Sequence, residues 1–351
     1  MAPNTLQKAL HLLFVAPFEL SASLALAIVQ GIAPGSRPDE TWTFRQAFSI
    51  TMSKVLVRQL SVLQRPAGLT LRPGSEGDRF VVMAPSRQDL YRGPMNDPLI
   101  APGQVGATWT PSLLKKPTTQ KQKWGSDLLV VLHFHGGAYV VGDGRDHDTG
   151  FPAQTLLAHI GCSHVFTPQN RLASDPGGRF PATLQDALSL YVYLLHHLHI
   201  PPSQIVLSGD SAGADLALAL LRCIGEFGLE LGLLWPGAAT LWSPWSDVSV
   251  ALDTAKITWS LNYRSDYLDY SFLHWGAYAL IGNGQTSLTD TYISLPYKPF
   301  KGEVPIWKTG MTVEWVIEEH CPHDIILLRK TLGFEEAAEG LRKAGEFVRL
   351  N

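Results

Sequence analysis

Between residues 128 and 243, hydrophobic side chains alternate between two kinds of spacing along the chain. Residues 128–134 and 205–207 are continuous apolar runs, typical of strands buried on both faces. Residues 182–197 and 215–225 carry apolar side chains three and four positions apart, which predicts helices. We also predict strands at 162–168 and 238–243, and a helix at 152–159. This alternation predicts an α/β fold with a mostly parallel central sheet, flanked by helices and joined by right-handed crossovers.

The pattern differs on either side of that alternation. Residues 42–64 carry apolar side chains at helical spacing with Arg and Lys between them, which predicts an amphipathic helix. Residues 66–127 are rich in Pro and Gly and predict loops and edge strands, one of them at 79–84. Residues 248–300 are rich in aromatic side chains and predict an inserted cap, which either packs on the N-terminal helices or forms the wall of an apolar pocket. We therefore expect an N-terminal helical cap or membrane-associated segment over 1–65 and one α/β domain over 66–351.

Residues 9–32 are almost wholly apolar and long enough to span a bilayer. His11, Pro17 and Glu19 lie within them, and a glutamate at the centre of a membrane costs roughly 2.5 kcal/mol or more. No strongly basic segment and no signal-peptide cleavage site is recognisable. Three interpretations stay open: a helix covering a substrate pocket, a membrane anchor or interfacial helix, and a targeting peptide.

Composition narrows the class of protein. With 351 residues, of which 45% are hydrophobic and 17% charged, the chain can bury a sizeable core. A net charge of −3 argues against a nucleic-acid surface. Cys162, Cys223 and Cys321 show no C-x-x-C spacing, which argues against a disulfide framework or a zinc site and favours a reducing compartment. We expect a cytoplasmic protein without metal or cofactor. Any association with a membrane is expected to occur through the N-terminal apolar segment.

The strongest chemical motif is Gly-Asp-Ser-Ala-Gly at 209–213, placed between a predicted strand and a predicted helix. This is the layout of a nucleophile elbow, in which a sharp turn exposes a serine. The flanking glycines are needed because strand and helix pass close together on either side of the strained residue. The pattern predicts Ser211 as a nucleophile.

A second motif, His-Gly-Gly at 135–137, follows the predicted strand 128–134. A glycine pair after a strand lets backbone N–H groups turn toward a ligand oxygen, although a plain strand-ending turn has the same composition. The elbow farther along the chain favours the oxyanion-binding interpretation.

Four further motifs accompany these two: Asn-Arg-Leu-Ala (170–173), Phe-Pro-Ala (180–182), Ser-Pro-Trp-Ser-Asp (243–247) and Pro-His-Asp-Ile (322–325). Together, the motifs resemble the hormone-sensitive-lipase branch of the α/β-hydrolase family, specifically its fungal esterase-like members. The resemblance covers residue 128 to the end. It implies Ser211 as nucleophile and His323 as general base. It also implies the N–H groups of Gly136, Gly137 and Ala212 as oxyanion donors. The expected reaction is hydrolysis of a carboxylic ester or lactone of a hydrophobic small molecule through an acyl-serine, and the likeness suggests a setting in fungal secondary metabolism.

The sequence departs from this family at the third member of the triad. The family carries its carboxylate between the last two strands, yet here the strand-like residues 304–310 run directly into 311–317. Adjacent parallel strands need a crossover of about a dozen residues. The segment carrying the acid is therefore missing, by deletion or by an error in the gene prediction. Asp247 is a candidate substitute, although a structural loop or capping role is favoured for it. A Ser-His dyad, roughly 10⁴ slower, and an inactive protein stay open as well.

Two further functions stay open. A non-catalytic small-molecule binder on the hydrolase scaffold is favoured by the missing acid and opposed by the presence of both Ser211 and His323. Acyl transfer to an alcohol or amine would use the same serine with water excluded.

Overall fold

Six strands form one sheet at the centre of the molecule, which is described from a computed structural model covering residues 4–116, 124–298, 314, 316–317, 321–324, 334 and 339–350. The strands are β1 (Phe80–Met83), β2 (Val105–Thr110), β3 (Val130–Phe134), β4 (His164–Gln169), β5 (Ile205–Asp210) and β6 (Ala238–Trp242). Their order across the sheet is β1-β2-β4-β3-β5-β6. Strands β4, β3, β5 and β6 are parallel, whereas β2 is antiparallel to both of its neighbours. The predicted α/β fold with a mostly parallel sheet is confirmed.

The central strands are apolar because both of their faces are covered. Val131 of β3 pairs with Val165 of β4 on one side and with Val206 of β5 on the other, and all three side chains are buried. A strand with helices on both faces needs apolar residues at every position, which explains the continuous runs in the sequence.

Strand β2 corrects the prediction that residues 66–127 contribute only edge strands. All six of its residues are buried, and it lies between β1 and β4. Gly106 leaves room there for the ring of Phe80, since a Cβ at this glycine would lie 2.3 Å from the ring. Because β2 contains small and hydroxylated residues, its sequence shows no continuous apolar run.

Helices cover both faces of the sheet and extend beyond it. They are α1 (Thr5–Ile32), α2 (Phe44–Leu63), α3 (Asp146–Ile160), α4 (Ala182–Val192), α5 (Ala212–Leu231), α6 (Thr254–Thr258), α7 (Tyr270–Leu280) and α8 (Glu339–Leu350). Helix α1 contains a π-helical turn at His11–Val15, and α4 continues into another at Tyr193–His197. Helix α3 begins at Asp146 rather than at the predicted 152, because two acidic residues in its first turn, Asp146 and Asp148, suit the positive end of the helix.

The aromatic-rich insertion packs beside the loop that follows β3. Phe272 and Trp275 of α7 share a buried cluster with Ala138 and Val140 of that loop, and Val57 of α2 packs against the same cluster. The insertion thus contacts both α2 and the predicted oxyanion loop. The domain boundaries at 65 and 248–300 stay predictions.

The motif at 170–173 holds a partly buried ion pair. Arg171 Nη2 donates to Asp186 Oδ1 at 2.8 Å, Arg171 Nε donates to the same carboxylate at 3.0 Å, and Asp186 is buried. Burial raises the pKa of Asp186 and the guanidinium opposes that rise. Arg171→Ala would leave a buried carboxylate without its main partner, so we expect the free energy of unfolding to fall by about 3 kcal/mol in urea denaturation.

The matched control for that substitution is Arg87→Ala. Arg87 pairs with Asp89 at 2.7 Å, but both side chains are largely exposed. Surface pairs contribute about 0 to 1 kcal/mol, so the control should denature close to the unsubstituted protein. Equal losses in the two variants would contradict the role given to the pair of Arg171 and Asp186.

Candidate active site

Ser211 lies in a strained turn between β5 and α5. Its backbone has φ 50° and ψ −116°, a conformation that side-chain-bearing residues rarely adopt. Its N–H donates to Trp242 O at 2.9 Å, and its carbonyl accepts from Trp245 N–H at 3.1 Å. Both partners lie at the end of β6, so the neighbouring strand holds the turn in place.

The two glycines of the elbow are sterically required. A Cβ at Gly209 would lie 2.3 Å from Gly213 O, and a Cβ at Gly213 would lie 2.0 Å from Phe134 O. Both distances are far inside van der Waals contact. The physical reason for the glycines of the motif is confirmed: strand β5, strand β3 and helix α5 meet here with no space for a side chain.

The loop after β3 corrects the assignment of Gly136. Its N–H donates to Asp210 Oδ2 at 2.8 Å, which makes it a structural donor rather than one available to an oxyanion. Within the described part of the chain, the N–H groups of Gly137, Ala138 and Ala212 bond to no acceptor. Gly137 (φ 96°) and Ala138 (φ 52°) both have left-handed backbone, which makes the turn tight. Ala138 therefore replaces Gly136 in the set of candidate donors.

A buried polar network fixes this loop to the elbow. His133 lies between Asp210 and Ser208: its Nε2 is 3.2 Å from Asp210 Oδ1, and its Nδ1 is 3.0 Å from Ser208 Oγ. Trp242 Nε1 also donates to Ser208 Oγ, at 3.1 Å. Since Asp210 holds Gly136, the network links β3, β5 and β6 directly beneath Ser211.

His323 is paired with the residue that follows it. Its Nε2 lies 3.0 Å from Asp324 Oδ2, and Asp324 N–H donates to Ser243 Oγ at 3.1 Å at the end of β6. Burial alone lowers the pKa of His323, but the charge of Asp324, helped by the charges of Asp266 and Asp210, raises it above its ordinary value. Burial raises the pKa of Asp324, and His323 opposes that rise.

The structure brings some predicted residues together and separates others. Ser211 and His323 both lie at the carboxyl end of the sheet, but among the described residues no hydrogen bond joins Ser211 Oγ to the imidazole. Among the described residues, Asp324, which was not predicted, provides the carboxylate that contacts His323. The predicted last strands at 304–310 and 311–317 lie outside the described residues, apart from 314, 316 and 317.

Asp247 does not act as the substitute acid in this structure. Its Oδ1 accepts from Ser249 N–H at 3.1 Å and from Ser249 Oγ at 2.5 Å, and thereby caps the 3₁₀ turn Val248–Leu252. The favoured capping role is confirmed, since its carboxylate contacts Ser249 rather than His323.

A cavity of about 480 Å³ adjoins these groups, a size suited to a small organic ligand. Its lining includes Asp210 and Asp324, the direct neighbours of Ser211 and His323 in the chain, together with Gly136, Gly137 and Tyr267. Arg65, Ala67 and Leu69, from the segment after α2, also line it. The cavity thus extends from the chain neighbours of Ser211 and His323, which are not themselves part of its lining, to the segment after the second helix.

The chain belongs to the α/β-hydrolase family, because the family described as alpha/beta hydrolase fold matches residues 131–319, over half of the chain. An acetyl-hydrolase of Streptomyces hygroscopicus is 34% identical over 123 residues, 35% of this chain and 38% of that protein. An ethyl acetate hydrolase of Pseudomonas putida is 29% identical over 182 residues, 51% of this chain and 45% of that protein. The chain thus spans less than half the length of these curated relatives.

Solved structures agree on the fold. The crystal structure of an esterase from the bacterial hormone-sensitive lipase family has a TM-score of 0.52 and 19% sequence identity, covering 95% of this chain and 97% of its own. The crystal structure of EstE5 soaked with p-nitrophenyl butyrate has a TM-score of 0.54 and 19% identity, covering 86% and 98%.

Proposed function

We propose that this protein hydrolyses carboxylic esters through an acyl intermediate on Ser211. The observation that carries the proposal is the elbow itself: a strained serine at the start of α5, next to the unbonded N–H groups of Gly137, Ala138 and Ala212. Strain of this kind persists only where the surrounding structure holds it, and it concentrates at functional sites. The names of the relatives, acetyl-hydrolase and ethyl acetate hydrolase, support the same reaction class.

The first chemical step follows from these groups. Ser211 Oγ attacks the ester carbonyl carbon while His323 takes the hydroxyl proton, and the carbonyl π electrons move to oxygen. The N–H groups of Gly137, Ala138 and Ala212 stabilise that oxyanion. The C–O bond to the alcohol then breaks, and the protonated imidazole gives its proton to the leaving oxygen. Water attacks the acyl-serine by the same sequence and releases the acid.

The pairing of His323 determines which of its nitrogens takes part. Because Nε2 faces Asp324 Oδ2, the nitrogen left to accept the proton of Ser211 is Nδ1. This reverses the arrangement in which the acid holds Nδ1 and the serine faces Nε2. The hydrogen bond between Ser211 and His323 would form when substrate binds, as catalytic hydrogen bonds often tighten only in the complex.

The cavity supports a small or medium-sized ester with an apolar part. Val140, Val141 and Leu69 contribute apolar walls, while Arg65 and His147 bring polar groups to the lining. We extend the proposal to esters or lactones of hydrophobic small molecules. The suggested setting in secondary metabolism stays a prediction, which the genomic neighbourhood would test.

The direct test uses the unsubstituted protein. p-Nitrophenyl acetate and p-nitrophenyl butyrate should be hydrolysed, and a fluorophosphonate probe should form one covalent adduct, mapped by mass spectrometry to the peptide containing Ser211. An adduct on another residue, or folded protein that neither turns over nor reacts, would contradict the proposal.

The second candidate function is small-molecule binding without catalysis. It is favoured by one observation: Ser211 and His323 are not hydrogen-bonded to each other in the described structure. Ester turnover no faster than that of a Ser211→Ala variant, together with saturable non-covalent binding of the ester, would support the binder and exclude the hydrolase.

A further inference from the structure

Four polar side chains of α1, those of Lys8, His11, Glu19 and Gln30, face the protein. Glu19 Oε2 accepts from Gln59 Nε2 of α2 at 2.7 Å, and Glu19 pairs with Arg58 of the same helix at 3.5 Å. His11 Nε2 lies 2.5 Å from Gln59 Oε1. His11 and Glu19, which made the sequence of this segment ambiguous, therefore have their polar groups paired with side chains of α2.

The two ends of α1 are held in the same way. Near the start, Lys8 Nζ donates to Gln64 O at 3.5 Å. Near the end, Gln30 Oε1 accepts from Thr51 Oγ1 at 3.0 Å. The contacts run in opposite directions along the two helices, so α1 and α2 form an antiparallel pair, which is closest over Ala16–Ile32 of α1.

The outward side of α1 is apolar. Apart from Leu20, its large apolar side chains have exposed fractions between 43% and 81%: Leu6, Leu10, Leu12, Leu13, Phe14, Val15, Phe18, Leu24, Leu26, Ile28, Val29 and Ile32. Between residues 9 and 32, Ser21 is the one polar side chain in the exposed set. A helix on a water-exposed surface has the opposite arrangement, and soluble monomers rarely expose apolar patches above a few hundred Å².

We propose that α1 lies lengthwise in the surface of a lipid bilayer, with its apolar side among the acyl chains and α2 on its protein side. The helix is long and apolar enough to enter a membrane. Helices with one apolar and one polar side bind lipid surfaces in this orientation, with the apolar side at the boundary between headgroups and acyl chains. Here the polar side is the one at which Glu19 of α1 contacts Arg58 and Gln59 of α2.

The distribution of the exposed residues favours lipid over a protein partner. Leu12, Leu13, Phe14 and Val15 are consecutive and all exposed, and they lie in the π-helical turn His11–Val15, so they point in several directions around the helix rather than along one stripe. A protein partner would cover one stripe, and protein interfaces include a polar rim with hydrogen bonds. Acyl chains adapt to a curved apolar surface and need no such bonds.

The opposite side of α2 favours an in-plane helix over one that spans the membrane. Lys54 of α2 donates to Asp266 O at 3.2 Å, and Ser61 Oγ lies 2.6 Å from Ser271 Oγ of the aromatic insertion. If α1 crossed the bilayer, α2 and this insertion would enter the hydrocarbon or lose their contacts with α1. Exposed Leu56 and Leu60 on α2 extend the apolar surface next to α1.

The test measures binding of the full chain to preformed phosphatidylcholine vesicles by flotation, without substrate. The protein should float with the vesicles, and the double variant Phe14→Glu with Phe18→Glu should partition at least about tenfold less, because two large apolar contacts are lost. The matched control carries Leu229→Glu and Leu261→Glu, at two almost fully exposed positions outside α1. The control should float like the unsubstituted protein, and circular dichroism should show the same folded content in all three.

Two results would overturn the proposal at this stage. One is failure of the unsubstituted protein to float. In that case, ultracentrifugation would distinguish one alternative, a soluble dimer that Phe14→Glu with Phe18→Glu converts to monomers. A dimer of this kind would mean that a second copy of the protein covers α1. The other is an equal loss of binding in the control variant.

Orientation is tested by labelling cysteines at the two ends of the helix. Thr5→Cys and Gly35→Cys, each combined with Cys321→Ser, are treated with a membrane-impermeant maleimide after the protein has bound to vesicles. An in-plane helix leaves both ends on the outer side, so both should react without detergent. If either end reacts only after detergent is added, α1 spans the bilayer and the in-plane proposal fails.

Discussion

Replacing Ser211 by alanine is expected to lower kcat for p-nitrophenyl acetate by at least about 10⁴-fold. The substitution removes the only atom proposed to become bonded to the acyl group, while alanine keeps the size of the turn. The residual rate would come from binding and the oxyanion donors alone. Steady-state hydrolysis measures the loss, and the fluorophosphonate adduct should vanish in parallel.

Ser203→Ala is the matched control for that result. Ser203 is an exposed serine before the opposite end of β5, away from the elbow, and should keep its activity within about twofold. If Ser211→Ala kept more than a tenth of the activity while folded, Ser211 would not be the nucleophile and the proposed reaction would fail.

The central fold could be predicted because its causes are local in sequence. A strand covered on both faces must be apolar at each position, as in β3, and a helix must repeat its apolar residues every three or four positions, as in α4. Strand β2 has neither signal. Its burial depends on β1 and β4, which lie far away in the sequence, so no pattern within residues 105–110 reveals it.

The elbow at Ser211 could also be predicted, because its cause is local in the sequence. Gly209 and Gly213 are demanded by contacts that every strand-turn-helix unit of this shape makes. The role of Gly136 could not be predicted, because the acceptor of its N–H is Asp210, 74 positions later in the chain. A glycine that frees its N–H for a ligand and one that bonds to a distant carboxylate look the same in a sequence.

Asp324 shows a different limit. Adjacent residues in regular helices and strands point in different directions, so a carboxylate directly after His323 is a poor candidate partner on pattern alone. The left-handed backbone of Asp324, with φ 50°, turns its side chain back toward the imidazole. Such a local conformation is imposed by the surrounding structure, including the bond from Asp324 N–H to Ser243 Oγ.

The charge state of His323 should govern how activity depends on pH. A general base must be neutral to take the serine proton, and the pKa of His323 is raised to about 9 despite its burial, chiefly by Asp324. A larger fraction of the imidazole is then protonated at neutral pH than in an ordinary histidine, so kcat/KM should keep rising above pH 7 as His323 loses its proton. A pH–rate profile with p-nitrophenyl acetate, corrected for spontaneous hydrolysis, checks this.

Asp324→Asn should move that profile to lower pH. Removing the carboxylate charge leaves burial as the main influence on His323, and burial lowers the pKa of an imidazole, so the inflection should move to lower pH. The plateau should drop at least about tenfold, because the imidazolium formed during attack loses its charged partner. Asp266→Asn is the matched control: it removes a charge with a smaller effect on His323, so it should move the inflection in the same direction by less and keep the plateau. An inflection unchanged in Asp324→Asn would show that His323 is not the base, since the residue that titrates would then be one that Asp324 does not touch.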